Sequence, residues 1–373
     1  MAAIQAVSRT FADTKQKLGI EKIDHVHLLV GNAFQSMHFL QSRFGFTPIG
    51  YQGLETGHRN HISYAMVQGN TGILVTSSTN PSSSIAHDVR LHGDGVKDIA
   101  FGVEDAERSF HLALLRGAYP VQEPVKKENE LGQVVTATVR SFGHMTHTFV
   151  QRAGRSAAFL PDFQPFHLHA GSGPSCLVEL DHVALAFPAG QLEDGVSFYT
   201  SVFDLNVTHE ENIVTANSAM NSKVVQNETA TVRFSMMEPG PGCRTSQIEE
   251  YLLYNSGPGI QHVAFTCQDI IEGVRHLQES GVAFLKTPSS YYDMLRARVG
   301  LIVQDVESLR GLNILVDRDE WGYLLQIFTK PITGRPTLFF ELIQREGAKG
   351  FGSGNIRALF AAVEREQARR GNL

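Results

Sequence analysis

The sequence predicts an α+β fold: four tandem βαβββ modules, paired into two open-barrel halves and finished by a C-terminal lid helix. Three observations lead there. Four segments, at 22–30, 95–103, 180–187 and 259–267, repeat one pattern of a short apolar strand, a helix and Gly-containing turns. Each opening strand carries a polar residue at an equivalent place: His25, Asp98, His182 and His262. Near the C-terminus, the apolar run Phe339-Phe340-Glu341-Leu342-Ile343-Gln344-Arg345 sets a carboxylate inside a strand that should be buried.

The elements follow in order. The first twenty residues hold Arg9, Asp13, Lys15 and Lys17 without an apolar signal core, and read as a surface helix. The 95–103 strand leads into a helix over 106–116 closed by Gly117, and strands follow at 133–140 and 147–151. Pro161, Pro165, Gly171, Gly173 and Pro174 should break any regular element in the join. The expected division is therefore 1–155, a linker at 156–175, and 176–373. In the second half, strands are expected at 231–237 and 323–329. The helix over 269–280 puts Ile270, Ile271, Val274 and Leu277 on one face and stops at Gly281. The tail 354–370 is a helix whose apolar side, Ile356, Leu359, Phe360 and Val363, should cover a barrel mouth.

Composition narrows the function. With 42% apolar and 19% charged residues among 373, the chain is an ordinary globular protein with a full core. A net charge of −6 without basic blocks argues against nucleic acid as a partner. Nothing approaches the ~18-residue apolar run of a membrane span. Three cysteines, Cys176, Cys243 and Cys267, show no metal or disulfide spacing and suit the cytoplasm. A homodimer or higher homo-oligomer is expected, with the first half as scaffold.

A lone buried carboxylate costs several kcal/mol unless something neutralises it. If Glu341 meets His182 and His262, the three form a 2-His-1-carboxylate set, which holds Fe(II) on one face and leaves the other open. The repeat sharpens this. Aligning Gln151-Arg152 with Gln344-Arg345 makes His25, Asp98 and Thr148 the first-half counterparts of His182, His262 and Glu341. Core histidines serving packing alone would leave the two halves alike; here only the second keeps a full ligand set. Zinc is the rival metal, but the helical H-E-x-x-H of many zinc hydrolases is absent. A binding module that merely sequesters a small molecule would not need a complete triad. Asp317-Arg318-Asp319-Glu320 reads as a solvated turn, and His144 and His147, lacking a third partner, as core or surface residues.

The chain resembles the 4-hydroxyphenylpyruvate dioxygenase family, of the vicinal oxygen chelate (glyoxalase-like) fold, along nearly its whole length. The stretches that carry the resemblance are Ser246-Gln247-Ile248-Glu249-Glu250-Tyr251, Gly257-Pro258-Gly259-Ile260-Gln261-His262, Tyr291-Tyr292, Leu324-Leu325-Gln326-Ile327-Phe328-Thr329, the Glu341 strand and Gly350-Phe351-Gly352-Ser353-Gly354-Asn355. The resemblance implies Fe(II) on His182, His262 and Glu341. It implies a 2-oxo acid chelating that iron, and O2 decarboxylating it, with no catalytic group beyond the ligands. Ser222, Gln247, Gln261 and Gln326 fall on positions that line the pocket or orient ligands, and Phe328 and Phe351 on aromatic walls.

Two departures bear on the product. Where the dioxygenases carry Pro-x-Asn-Glu-Pro, this chain has Ser235-Met236-Met237-Glu238-Pro239; where they carry Gly-Asn-Phe, it has Gly354-Asn355-Ile356. Met237, Asn355 and Ile356 thus join the expected substrate contacts. Both changes, with Ala219-Met220-Asn221-Ser222-Lys223-Val224-Val225-Gln226, resemble the branch that hydroxylates the benzylic carbon to give 4-hydroxymandelate. The alternative is the dioxygenase proper, which oxidises the ring to homogentisate; the closing Arg369-Arg370-Gly371-Asn372-Leu373 resembles its tail. Oxidation goes to the carbon held nearest the oxidant, and displacements of about 1 Å matter.

Overall fold

The computed structural model describes residues 16–130, 132–153, 159–166, 175–214, 218–242 and 244–371. Most of the helix expected over the first twenty residues, Cys243, and Gly171, Gly173 and Pro174 lie outside them.

The first sheet contains β1 (Ile20–Leu29), β2 (Thr47–Gln52), β3 (His61–Gln68), β4 (Thr71–Ser78), β5 (Gly95–Val103), β6 (Tyr119–Asn129), β7 (Gly132–Arg140), β8 (Thr146–Ala153) and β9 (Gln164–Pro165). Its order is β6-β7-β8-β5-β1-β4-β3-β2-β9. The second contains β10 (Leu177–Ala186), β11 (Asn206–Val214), β12 (Ala219–Gln226), β13 (Arg233–Gly240), β14 (Gly259–Cys267), β15 (Leu315–Arg318), β16 (Tyr323–Phe328) and β17 (Phe339–Glu346). Its order is β11-β12-β13-β10-β14-β17-β16-β15. Read from opposite ends, the two orders are the same apart from β9. Each sheet is two βαβββ modules joined at antiparallel opening strands, β1 with β5 and β10 with β14, and each curls into a half-barrel.

The helices are α1 (Ala33–Phe44), α2 (Ser84–His92), α3 (Ala106–Leu115), α4 (Leu192–Phe203), α5 (Gln247–Asn255), α6 (Ile270–Glu279), three short ones, α7 (Ser290–Asp293), α8 (Leu295–Val299) and α9 (Val306–Leu312), and the lid α10 (Ser353–Arg369). Their ends are written locally. Asp269 caps α6 by accepting from Ile271 N and Glu272 N, and Gly281 follows at φ +88°. Ser246 and Glu249 close a capping box at the start of α5.

Alternation along the central strands separates core from site. Phe340 and Leu342 of β17, Val183 and Leu185 of β10, and Val263 and Phe265 of β14 all enter one large apolar core. That core runs through both halves. Phe44 at the end of α1 meets Phe340 with ring centroids 5.1 Å apart, and Phe203 of α4 meets Phe101 of β5 at 5.5 Å. The intervening residues, Phe339 and Glu341, His182 and Ala184, His262 and Ala264, face the other way. His147 proves a core residue, bonded to Ile99 O and the Tyr199 hydroxyl, and His144 stacks on His92 at 3.7 Å.

Two expectations need correction. The described part of the join is not featureless: Gln164–Pro165 pairs with β2, and Phe159 and Phe163 pack on Ala65 and Leu74 of the first sheet. A proline is tolerated there because β9 is an edge strand whose outer side needs no donor. Nor is 317–320 simply a solvated turn. Asp317 and Arg318 finish β15, and Asp319 accepts from the backbone N–H groups of Trp321, Gly322, Lys349 and Gly350 at 2.7–3.0 Å. Asp317 accepts from Gly354 N at 2.8 Å. The acidic run is a staple that fixes where the lid helix begins, since backbone donors drawn from two separate loops converge on it.

Candidate metal centre

Strand register brings the three expected ligands together. His182 of β10 lies opposite Ala264 of β14, which lies beside Glu341 of β17, while His262 sits two residues before Ala264 on the same face. His182 Nε2 is 3.3 Å and His262 Nε2 3.5 Å from Glu341 Oε2. The three donor atoms all lie within 4.8 Å of one another, and all three residues are buried.

Each ligand is held from behind. Asp181 Oδ1 takes the Nδ1 side of His182 at 2.8 Å, which turns Nε2 toward Glu341. Arg345 grips Asp181 with Nε at 2.7 Å and Nη2 at 2.8 Å, and Arg233 adds a longer contact at 3.3 Å. Gln261 Oε1 lies 3.2 Å from His262 Nδ1, and Gln326 Nε2 donates to Glu341 Oε1 at 2.8 Å, leaving Oε2 for the ligand position.

The electrostatics follow from these neighbours. Burial pushes the Asp181 carboxyl up, but Arg345 and His182 overcome it and hold Asp181 well below the usual carboxylate range. Burial pushes His182 down, yet Glu341 and Asp181 more than reverse it and raise His182 to about 9. Burial and then the nearby His182 push His262 well below the ordinary histidine range. The pocket thus demands one positive charge beside Glu341. A divalent cation bound by two imidazole nitrogens and a carboxylate oxygen satisfies that demand, so the donor set fits Fe(II).

The first half repeats the support without the ligands. Arg152 grips Asp24 at 2.6 and 2.8 Å, and Asp24 takes His25 Nδ1 at 2.8 Å. Gln151 accepts from Ala106 N just as Gln344 accepts from Ile270 N. At the other two positions, however, Asp98 accepts from Thr146 and Thr148 at 2.6 and 3.0 Å. The Arg–Asp–His clamp belongs to the fold; the complete ligand set belongs to the second half.

Over the three ligands lies a cavity whose wall includes Ser222, Met237, Gln247, Gln261, Gln326, Phe328, Phe351 and Ile356. Asn355, expected there too, is fully buried and not on the wall; it turns away and donates to Gln326 Oε1 at 2.9 Å. Met220, Ser235 and Leu359 complete the wall; Leu359 comes from the lid face expected to cover the barrel mouth, and the other two were not singled out. The period of two would have found the first two, for Met220 precedes Ser222 and Ser235 precedes Met237 by two residues on paired strands. A larger cavity, ≈ 890 Å³, lies between the halves and is lined by Asp24, Asp181, Arg152 and Arg233. It reaches the clamps but none of the three ligands, so it is not where a metal-bound substrate would sit.

Comparison with known proteins agrees with this geometry. The family model described as the glyoxalase/bleomycin resistance protein/dioxygenase superfamily matches residues 22–145 and 179–327. The 4-hydroxyphenylpyruvate dioxygenase of Neurospora crassa is 38% identical over 380 residues, covering 94% of this chain and 92% of that protein. That of Dictyostelium discoideum is 39% identical, covering 95% and 100%.

The chain belongs to the 4-hydroxyphenylpyruvate dioxygenase family.

A solved structure of a triple mutant of 4-hydroxymandelate synthase from Streptomyces coelicolor is also similar, with a TM-score of 0.84 and 37% identity over 94% of this chain and 99% of that one. The relatives are named as dioxygenases, and the chain, as a member of their family, is an enzyme of that class. Among the described residues, no helix is long and apolar enough to cross a membrane.

Proposed function

We propose that this chain holds Fe(II) on His182, His262 and Glu341 and oxidatively decarboxylates 4-hydroxyphenylpyruvate with O2, hydroxylating the benzylic carbon to give 4-hydroxymandelate and CO2. The observation that carries the product is the composition of one wall: Met237 packs with Met220, Ile356 and Phe360 in a single apolar cluster beneath the lid. When bound, Fe(II) supplies the open positions that a bidentate 2-oxo acid and O2 occupy together. Everything else is done by the protein. Phe328 and Phe351 stand at 6.2 and 5.1 Å from the His262 and His182 rings and flank the substrate ring. Gln247 Oε1 is buried on the cavity wall without a hydrogen-bond partner among the described residues. It is a free acceptor for the ring hydroxyl, whose proton would otherwise be left unpaired. The lid and its apolar face exclude water.

The wall selects the carbon. Ile356 in place of a phenylalanine leaves room for the ring to tilt away from the metal, which makes the benzylic CH2 the nearest target. Met237 offers no hydrogen bond to draw the ring back. A second reading, ring oxidation to homogentisate, is favoured by the names of the relatives at 38–39% identity. Incubation with 4-hydroxyphenylpyruvate and O2, followed by analysis of the organic acids, separates the two. Mainly 4-hydroxymandelate is expected, and homogentisate alone moves the protein to the other branch. Ile356→Phe should divert part of the product toward ring oxidation; an unchanged ratio removes Ile356 from the explanation. The proposal includes the division at 1–155, 156–175 and 176–373, a cytoplasmic setting and a homo-oligomer.

A further inference from the structure

Glu341 is tied to the lid by side chains that run away from the cavity. Gln326 Nε2 donates to Glu341 Oε1 at 2.8 Å, and Gln326 Oε1 accepts from Asn355 Nδ2 at 2.9 Å. Asn355, in the first turn of α10, accepts through Oδ1 from the Tyr291 hydroxyl at 2.7 Å. That hydroxyl in turn accepts from Val316 N at 2.9 Å and Arg298 Nη2 at 2.5 Å, and the Arg298 guanidinium lies 4.6 Å over the Tyr291 ring.

The direction of this chain is set from its metal end. A carboxylate oxygen only accepts, so Gln326 must turn its NH2 to Glu341 and its oxygen to Asn355. Asn355 must then give its NH2 to Gln326 and its oxygen to Tyr291. Turned over, Asn355 could donate to Val316 O at 3.0 Å and to the Tyr291 hydroxyl at 2.7 Å and accept from Asp317 N at 3.2 Å, but its oxygen would then stand 2.9 Å from Gln326 Oε1, whose direction the Glu341 carboxylate has already set. With both lone pairs taken, Tyr291 has one proton and two acceptors in reach, Asn355 Oδ1 and Val316 O. Donated to Asn355 Oδ1, that proton holds Asn355 in the orientation the metal end requires.

We propose that Tyr291, outside the cavity, is a positioning residue: through Asn355 and Gln326 its hydroxyl holds the Glu341 carboxylate at the rotation that presents one oxygen to the two imidazoles. The orientation of Glu341 therefore depends on the lid helix being seated. This rests on His182, His262 and Glu341 being the metal ligands.

Tyr291→Phe tests it, because the ring and its stacking with Arg298 remain and only the hydroxyl is lost. Co(II), whose visible absorption reports coordination geometry, is titrated into metal-free wild-type and variant protein, and oxygen uptake with 4-hydroxyphenylpyruvate is measured on the iron-loaded forms. Expected are an altered Co(II) band, an affinity weaker by about three- to tenfold, below the loss seen for nearer metal partners, and a lower kcat with KM little changed. Arg298→Lys, at the exposed end of the chain, should show the same changes more weakly, and carries the test should Tyr291→Phe fail to fold. Wild-type protein that binds no Co(II) overturns the ligand assignment itself. Wild-type protein that binds Co(II), with variants matching its band, affinity and kcat, overturns the positioning role, even if they melt earlier.

Discussion

Glu341→Ala is expected to bind no iron and to consume no oxygen in the presence of 4-hydroxyphenylpyruvate, where one bound Fe(II) per chain is expected for the wild type. The carboxylate supplies the single anionic donor among three buried ligands. Without it, two neutral imidazoles remain to hold a divalent cation in a site sealed from water, and a buried charge without its counter-charge is expensive. His262→Ala removes one of the two nitrogens and should end in the same place. The loss should exceed about a hundredfold in metal affinity, the upper range for removing a partner one shell further out. Iron analysis of the purified variants and an oxygen electrode are sufficient, and unchanged oxygen uptake in either variant would sink the iron assignment. Folding should survive, since Ala at 341 relieves the burial of a carboxylate that is 1% exposed.

Arg345→Met should produce the largest loss of stability. Asp181 is buried and charged, and among the described residues its only other cationic contacts are His182 and the longer one to Arg233. Breaking a buried pair from one side costs about 3–5 kcal/mol, because the remaining charge is stranded. The same change lets His182 turn, so iron affinity should fall by about 10–100-fold. Two controls separate these effects. Arg152→Met breaks the equivalent clamp on Asp24 in the half without a ligand set; it should lower the denaturation midpoint while iron affinity stays as in wild type. Adding Asp181→Asn to Arg345→Met should restore part of the stability without restoring iron affinity, a coupling that a double-mutant cycle measures directly. Equal iron affinity in Arg345→Met and wild type would show that the clamp is only a fold element.

Much of this is legible in the sequence alone. The period of two placed His182, His262 and Glu341 on inward faces, and the internal repeat matched them to His25, Asp98 and Thr148. Strand register bears out that match: Asp98 falls on Thr146 as His262 falls on Phe339, so Thr148, two residues on, stands where Glu341 does. Patterns of this kind are local, set by backbone geometry and by which side chains an apolar run can carry, so they survive in one dimension. The acidic run at 317–320 misled because its composition is that of an exposed turn. Its role comes from loop amides that approach from thirty residues away, such as Lys349 and Gly350.

What only the tertiary structure decided is of that second kind. The clamp from Arg345 to Asp181 spans 164 residues. Asn355 leaves the cavity wall because Tyr291 and Gln326, distant in the chain, offer it partners. Phe159 and Phe163 fold out of the join onto the first sheet. By itself the sequence determined that Glu341 would be buried with two histidines, because burial and alternation are properties of a strand. Which groups stand behind those ligands depended on the whole chain closing up, because a buried charge or amide is satisfied by whatever partner the packing delivers, from anywhere in the sequence.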